Sequence, residues 1–325
     1  MSKRIQSFFP VDTATKRPKY EADSLPTSQH ATYPFPIRNL PSHIAKPLSN
    51  LASQTPPKKI DNRPHLDLLY FQPLISSPLA RDLFCFLRNE LPFYRVQYAI
   101  RRGPTESQIT TPRFTTVFGV DETAYFVPDP GALPGDAASM LLVDRKSDKP
   151  VPSDKYQYAP RPLPACLDVL RQCVEAATAD GTTYNFCLVN YYASGDDSIS
   201  YHSDDERFLG PQPTIASLSL GASRDFLLKH KPVAGEGKEK VDTTPLKFNL
   251  AAGDLMVMRG ETQANWLHSI PKRKGSHAPQ GRINITFRKA IVPEGTNNYY
   301  NYNVGKGPVY RWNQDRGEMV EVGTD

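Results

Sequence analysis

Two histidines and one aspartate constrain this fold more than any other feature: His202-Ser203-Asp204 and, much later in the chain, His268. Residues two apart on a β-strand point to the same face, so His202 and Asp204 can reach one ion together. A third ligand must approach from another direction, and His268 follows an apolar pair in a strand-like context. The chain must therefore fold so that two strands far apart in sequence meet at one site.

The chemistry of these three side chains indicates iron. Two imidazoles and one carboxylate can hold one face of an Fe(II) ion and leave the opposite face open. The string Arg282-Ile-Asn-Ile-Thr-Phe-Arg288 follows, and its period of two places both arginines on one face with Asn284 and Thr286. Such a row needs partners when buried, and a dicarboxylate supplies them. The pattern predicts an O2-activating iron enzyme that uses a 2-oxo acid.

Short alternating strands dominate the second half of the chain and predict a mainly β (α+β) fold, a double-stranded β-helix or jelly roll with flanking helices. The jelly-roll core is predicted over residues 184–290, with strands at 185–190, 213–220, 224–229, 248–250, 254–258 and 282–287. Apolar residues at helical spacing predict two earlier helices, one starting at Ser77-Pro78 and one over about 163–178. Residues 232–245 are typical of a loop between two strands.

The first 60 residues differ in composition from the rest. They hold nine prolines and nine Lys or Arg but only three acidic residues, while the whole chain carries a net charge of +5. Low hydrophobicity combined with proline and charge predicts a disordered tail over 1–60. A dioxygenase domain is expected over 62–295 and a C-terminal extension over 296–325.

The start of this tail carries an apolar triplet, Ile5, Phe8 and Phe9. A short helical turn would present the three side chains together to a pocket on a partner. The segment 1–9 resembles a sliding-clamp (PCNA) interaction box, although Ser2 stands where that pattern has Gln. The other interpretation is a solvated apolar end. Residues 16–19, Lys-Arg-Pro-Lys, predict either nuclear import or a solvated charge run.

The cysteine pattern and the hydropathy of the sequence indicate the cellular environment of the chain. Cys85, Cys166, Cys173 and Cys187 form no Cys-x-x-Cys pair and sit in apolar runs, which favours buried thiols in a reducing compartment. The chain contains no run of 18 apolar residues, so no membrane span is predicted. The N-terminus lacks the apolar segment of a signal peptide. We expect a nuclear monomer with no membrane partner.

The block 185–290 resembles the AlkB family of Fe(II)/2-oxoglutarate dioxygenases, the oxidative demethylases of alkylated nucleic acids, and looks most like its eukaryotic DNA-repair members. Weaker similarity reaches back to about residue 112. The motifs that carry the resemblance are Asn190-Tyr-Tyr192, His202-Ser-Asp-Asp-Glu206, residues 217–226, His268-Ser-Ile-Pro271 and Arg282 to Arg288.

The resemblance implies Fe(II), 2-oxoglutarate as co-substrate and O2. His202, Asp204 and His268 would bind the iron and form the catalytic centre. Arg282 would pair with the distal carboxylate of 2-oxoglutarate, helped by Asn284 and Tyr192. Arg288 and Asn190 would hold the end that chelates the metal.

The resemblance also suggests substrate contacts. Tyr156 and Tyr158, in the run Lys-Tyr-Gln-Tyr-Ala-Pro, would stack on the target base, unless they are ordinary loop tyrosines. Asp205 and Glu206 are candidates for a cationic alkylated base, or else for salt bridges. Basic side chains, Arg113 among them, would contact the phosphate backbone.

The activity implied is oxidative dealkylation of N1-methyladenine and N3-methylcytosine type lesions in DNA, with release of formaldehyde, succinate and CO2. Three alternatives remain open on the sequence. They are the same chemistry on RNA, a non-catalytic nucleic-acid-binding or clamp adaptor, and a dioxygenase acting on protein or lipid.

Overall fold

The computed structural model describes residues 25–51, 56–131, 140–232, 242–274 and 281–323. The predicted clamp anchors Ile5, Phe8 and Phe9, the basic run 16–19 and most of the loop 232–245 lie outside the described residues.

Strands outnumber helices in the described chain. The strands are β1 Thr27–Ser28, β2 Ile37–Arg38, β3 Lys58–Ile60, β4 Leu68–Phe71, β5 Phe93–Tyr94, β6 Gln97–Arg102, β7 Thr105–Thr110, β8 Phe114–Gly119, β9 Ala124–Pro128, β10 Met140–Asp144, β11 Phe186–Tyr192, β12 Ile199–His202, β13 Ile215–Gly221, β14 Arg224–His230, β15 Leu246–Leu250, β16 Leu255–Met258, β17 Trp266–Ile270, β18 Arg282–Arg288, β19 Val309–Asn313 and β20 Glu318–Glu321. The helices are α1 Ser42–Ser49, α2 Ser77–Glu90, α3 Ala165–Thr178, α4 Thr262–Asn265 and α5 Pro293–Asn303, with a 3-10 turn at Arg207–Leu209.

Two antiparallel sheets form the framework. The large one has ten strands in the order β20-β19-β5-β8-β11-β18-β13-β16-β4-β3, and the small one has four in the order β12-β17-β14-β15. Three two-stranded ribbons, β1-β2, β6-β7 and β9-β10, complete the strand pairing. The predicted mainly β fold is confirmed.

Alternation along the central strands separates two cores. On β18, Ile283, Ile285 and Phe287 join the core that includes α1, α2 and α3. Their neighbours Asn284, Thr286 and Arg288 point the other way, into a cavity toward the small sheet. This period of two follows from the pleat, and it gives one strand an apolar face and a polar face, both buried.

The two predicted helices are confirmed, with small shifts at their ends. The helix α2 starts at Ser77 with Pro78 in its first turn, which is the position that proline tolerates best. The helix α3 ends at Thr178, and Ala179 follows in a left-handed conformation. Both pack their apolar faces against the large sheet, as Leu83, Leu87 and Leu170 are fully buried.

The predicted limit of the tail at residue 60 is wrong. Residues 25–51 form β1, β2 and α1, and Ile37, Ile44 and Leu48 of this stretch are buried in the main core. The Tyr33 hydroxyl donates to the Pro162 carbonyl over 2.6 Å. The composition of this segment did not indicate order, because its few apolar side chains are separated by prolines and charged residues.

The predicted C-terminal extension over 296–325 packs against the rest of the domain. The helix α5 buries Tyr299 and Tyr300, and β19 pairs with β5 at the edge of the large sheet. Buried Glu90 of α2 is bridged by Arg38 from the N-terminal part and approached within 4.0 Å by Arg311 from β19. Both ends of the described chain are therefore parts of the domain.

No described helix is long and apolar enough to cross a membrane.

Candidate functional site

The three predicted metal ligands converge at one end of the small sheet. His202 ends β12 and lies opposite His268 of β17, with 4.2 Å between the ring centres. Asp204 follows β12 by two residues, and its Oδ2 is 3.9 Å from His268 Nε2. Ligand atoms of His202, Asp204 and His268 all lie within 4.8 Å of one another. This spacing fits one shared metal ion.

The protonation states suit a metal as well. The Ser200 carbonyl lies 2.9 Å from His202 Nδ1, and because a carbonyl only accepts, Nδ1 is the donor and Nε2 is the nitrogen that can bind a metal. Burial, followed by the neighbouring His202, lowers the pKa of His268 to about 3, so its ring is neutral. Metal binding needs such unprotonated imidazoles.

Asp204 is held ionised by its surroundings. Burial opposes the charge, but Arg288 and then the two histidines outweigh it and lower the pKa of Asp204 to about 2. Arg288 Nη1 donates to Asp204 Oδ1 over 2.9 Å, and the Asp204 backbone N–H donates to Gln263 Oε1 over 2.9 Å. Gln263 is fully buried, and sequence reasoning did not single it out. One carboxylate oxygen is thereby fixed and the other faces the histidines.

Arg282 carries unused hydrogen-bonding capacity deep in the protein. Its side chain donates from Nη2 to Ser219 Oγ over 2.9 Å, while Nε and Nη1 have no partner among the described residues. Burial, opposed in part by Tyr192, lowers its pKa to about 10, so the group stays cationic. A buried guanidinium with free N–H groups is costly unless an anion completes it. A carboxylate fits that requirement.

Arg282 does not line the cavity that contains the three metal ligands. It lines a small separate recess together with Tyr192 and Arg224. Its guanidinium is 5.4 Å from the centre of the Tyr192 ring, and Tyr192 pairs with Arg282 between β11 and β18. Because Tyr192 lines both spaces, it forms the partition between the recess and the cavity.

The cavity itself has a volume of about 300 Å³ and contains the triad. The predicted co-substrate residues Asn190, Tyr192, Asn284 and Arg288 line it, as does Arg113. Arg113 Nε donates to Asn190 Oδ1 over 2.7 Å, so this arginine is tied to the cavity wall. Sequence had assigned Arg113 to the phosphate backbone, and its position favours the pocket interior.

Glu206 also lines the cavity. Burial, followed by the nearby Asp204, raises its pKa, and its Oε2 has no partner among the described residues. This position agrees with a contact to a cationic group. Asp205 does not line the cavity, and its carboxylate bridges Lys231 over 2.5 Å; its contact with a base stays a prediction.

Tyr156 and Tyr158 lie outside the cavity wall, and their stacking roles stay predictions. Tyr156 is only 8% exposed, and its hydroxyl donates to Asp121 in a separate small core. The Tyr158 hydroxyl donates to Asn301 of α5 over 2.8 Å. Neither ring lines the cavity. The sequence motif identified two aromatic residues, and packing and these hydrogen bonds fix both rings within the protein.

Sequence reasoning assigned no role to many of the residues that line the cavity, both inside and outside the recognised motifs. Four of these residues belong to α5, and a polar-aromatic run with pairs four apart was the signal that could have found them. The missed lining residues are Tyr98, Leu188, Ile199, Ser217, Phe226, Met258, Ile270, Asn298, Tyr299, Tyr302 and Asn303.

Comparisons with known proteins agree with this geometry. Residues 67–288 match the model of the 2OG-Fe(II) oxygenase superfamily. The chain is 41% identical over 134 residues to DNA oxidative demethylase ALKBH2 of Homo sapiens, covering 41% of this chain and 49% of that protein. It is 43% identical over 128 residues to the human alpha-ketoglutarate-dependent dioxygenase alkB homolog 3, covering 39% and 43%. The ALKBH2 of Arabidopsis thaliana is 38% identical over 144 residues, covering 40% and 44%. The chain thus spans about half the length of the curated relatives it matches.

Proposed function

The chain belongs to the 2OG-Fe(II) oxygenase superfamily, and within it to the AlkB family, and on that premise we propose that it dealkylates alkylated bases in DNA oxidatively. The expected lesions are of the N1-methyladenine and N3-methylcytosine type. The products are the restored base, formaldehyde, succinate and CO2, and the domain that does this is a jelly roll.

One observation carries the proposal. An ionised carboxylate and two imidazoles lie within 4.8 Å of one another in a cavity whose adjoining recess holds an incompletely paired buried arginine. His202, Asp204 and His268 supply the donor set that non-haem Fe(II) oxygenases use. Arg282 supplies the cation that a dicarboxylic 2-oxo acid requires. A structural role for the triad alone leaves the free N–H groups of Arg282 without a purpose.

The co-substrate would lie along the polar face of β18. Arg282 would bind the distal carboxylate of 2-oxoglutarate, with Asn284 and Tyr192 beside it. Arg288 and Asn190 would hold the metal-chelating end, and Arg288 Nε is free among the described residues for that contact. When bound, Fe(II) with 2-oxoglutarate activates O2 for oxidation of a C–H bond and 2-oxoglutarate is converted to succinate and CO2.

The protein side chains provide positioning and a dry environment. Burial of Arg282, Asn284 and Arg288 excludes bulk water from the co-substrate and strengthens each charged contact. A methyl group on a ring nitrogen, once hydroxylated, leaves as formaldehyde because the carbon carries both oxygen and nitrogen. The residues at the cavity entrance need only hold that methyl group toward the triad.

A nucleobase suits the remaining space. The cavity, of about 300 Å³, is at the lower end of the size of ligand sites. A base inside a duplex cannot reach the triad, so the target base must be flipped out or single-stranded. The unpartnered Oε2 of Glu206 favours a cationic methylated ring over a neutral one. The human and the Arabidopsis thaliana relatives carry the name DNA oxidative demethylase, which supports DNA as the substrate.

Partners beyond the substrate are proposed from the sequence alone. The Ile5, Phe8 and Phe9 pattern supports docking of segment 1–9 on a sliding clamp (PCNA). The basic run at 16–19 supports a nuclear location. We infer a monomer. Pull-down of the clamp by wild type and by a variant with Phe8→Ala and Phe9→Ala tests the first point, and equal capture by both would refute it.

The function is tested by formaldehyde and succinate release. Matched oligonucleotides with one N1-methyladenine, as DNA or RNA and as single or double strands, are incubated with the full chain, Fe(II), 2-oxoglutarate and O2. We expect formaldehyde from DNA that requires all three additions and is lost in Asp204→Ala. Release from RNA alone would replace DNA by RNA as the substrate. Binding without any release would favour the adaptor alternative.

A further inference from the structure

The helix α5 lies beyond the region matched by the superfamily model, which ends at residue 288, yet it contributes four side chains to the cavity. Two of them, Tyr299 and Asn303, are four apart and buried. The other two, Asn298 and Tyr302, are also four apart and lie nearer to solvent, since Tyr302 is 47% exposed. Residues four apart share a helix face, so α5 presents one inner and one outer row to the cavity.

Several hydrogen bonds fix the orientation of this helix. The Thr296 hydroxyl donates to Asp121 Oδ2 over 2.6 Å, and the Tyr300 hydroxyl donates to the Gly119 carbonyl over 3.0 Å. On a neighbouring face, Asn301 accepts from the Tyr158 hydroxyl over 2.8 Å. Buried and satisfied contacts of this kind rigidify the element that carries them. The outer row of α5 is therefore held in place relative to the triad.

A second element completes the entrance. Tyr98 of β6 lines the same cavity, and its ring centre is 5.9 Å from that of Tyr302 with the planes at 89°. An edge-to-face pair leaves at least one face of each ring uncovered by the other ring. The Asn298 amide lines the same cavity and has no hydrogen-bond partner among the described residues.

We propose that Tyr302 is the stacking platform for the target base, that Tyr98 fixes its ring orientation, and that Asn298 hydrogen-bonds to the edge of the base. This inference rests on the proposed function, and it assigns substrate selection to a helix that the superfamily model does not cover. A flat exposed aromatic ring suits any nucleobase, and an amide offers both donors and an acceptor. The proposal gives the partly exposed outer row of α5 this role, whereas the hydroxyls of Tyr156 and Tyr158 bond to Asp121 and Asn301.

The test separates base recognition from turnover. Fluorescence anisotropy measures binding of the full chain, without added iron, to a labelled single-stranded oligonucleotide with one N1-methyladenine, and to the same strand with an abasic site there. The variants are Tyr302→Ala, Tyr302→Phe, Tyr98→Ala and Asn298→Ala. Tyr125→Ala is the matched control, because Tyr125 lines a different cavity and its hydroxyl contacts Asp148. Formaldehyde release is measured in parallel.

We expect wild type to bind the base-containing strand more tightly than the abasic strand, and Tyr302→Ala to lose roughly tenfold of that preference. Tyr302→Phe and Tyr125→Ala should keep it, while Tyr98→Ala and Asn298→Ala should lose part. An unchanged preference in Tyr302→Ala, or an equal loss in Tyr302→Phe, would overturn stacking on this ring.

The two proposals fail in different ways. If wild type releases formaldehyde and Tyr302→Ala binds and reacts like it, the platform is wrong and the dealkylase stands. If wild type prefers the base through Tyr302 but releases no formaldehyde, the platform stands and the dealkylase is wrong. A wild type without any preference for the base overturns the platform whatever the turnover.

Discussion

Arg288 donates from Nη1 to Oδ1 of Asp204 over 2.9 Å, so the last residue of β18 holds a metal ligand that lies just beyond the end of β12. The same guanidinium donates from Nη1 to Tyr299 and from Nη2 to Thr286. Asp204 and then Tyr299 raise the pKa of Arg288 against the opposing effect of burial. The large sheet therefore orients a ligand on the small sheet.

Arg288→Met should weaken metal binding without removing a ligand. Outer contacts that orient a metal ligand typically contribute 10- to 100-fold in affinity, so we expect a loss of about that size. Titration of the apoprotein with Fe(II) under anaerobic conditions measures it. Lys289→Met is the control, since Lys289 is half exposed and bridges Glu122 instead. Equal affinity of Arg288→Met and wild type would show that Asp204 is positioned without the arginine.

Arg282→Met should raise the 2-oxoglutarate requirement and leave oligonucleotide binding unchanged. Hydrogen bonds to a charged group contribute ~1.5–3 kcal/mol, which corresponds to a rise of about tenfold or more in the KM for 2-oxoglutarate. Arg282→Lys keeps the charge but not the two-pronged geometry, so it should recover only part of the loss. Steady-state succinate formation over a range of 2-oxoglutarate concentrations decides this. An unaltered KM would remove Arg282 from the co-substrate site.

Glu90→Gln should destabilise the domain because it removes the charge on α2 that pairs with arginines from the N-terminal and C-terminal parts of the chain. Glu90 is 1% exposed and is bridged by Arg38, with Arg311 close by. Breaking a buried ion pair costs ~3–5 kcal/mol, and the partly exposed arginines reduce this to about 2 kcal/mol. Urea unfolding followed by circular dichroism measures the change. Glu122→Gln, in an exposed pair, should cost less than ~1 kcal/mol, and an equally small effect at Glu90 would contradict its role in joining the chain ends.

The sequence predicted the triad because strand periodicity and ligand chemistry are local properties that survive folding. The period of two placed Asn284, Thr286 and Arg288 on one buried face, and the structure has them there. The same reasoning identified Arg282, since a row of polar side chains on a buried strand requires polar partners inside the protein.

The sequence did not predict the entrance of the cavity. Tyr156 and Tyr158 had the residue type expected of a stacking ring, but their hydroxyls are engaged by Asp121 and Asn301. The polar-aromatic spacing of α5 is a local signal, but which aromatic ring faces a cavity depends on the long-range packing of α5 and the β6-β7 ribbon. Composition likewise placed residues 25–51 in a tail, because burial of a few apolar side chains is a tertiary property.

Three of the four thiols should be unreactive in the folded protein. Burial raises the pKa of Cys166 to about 12 and that of Cys173 to about 11, and raises that of Cys187 well above its ordinary value. Only Cys85 is partly exposed. Since the thiolate is the nucleophile, iodoacetamide at pH 8 should label Cys85 first and all four after unfolding. Peptide mass spectrometry reads this out, and early labelling of Cys187 would indicate that the main core opens.

Metal binding should stabilise the folded state, and His202→Ala should abolish that effect. Asp204 and His268 are already in the ionised and neutral states that a metal needs, so they lose no proton on binding near pH 7. A ligand at a hundredfold excess over its Kd stabilises by ~2.7 kcal/mol, which raises the Tm of a domain this size by about 5–10 °C. Thermal unfolding with and without Fe(II) and 2-oxoglutarate, under anaerobic conditions, measures the shift. His202 is partly exposed, so the variant should fold and keep the Tm of the apoprotein. A shift that persists in His202→Ala, and also in Asp204→Ala, would mean that the metal binds elsewhere on the chain.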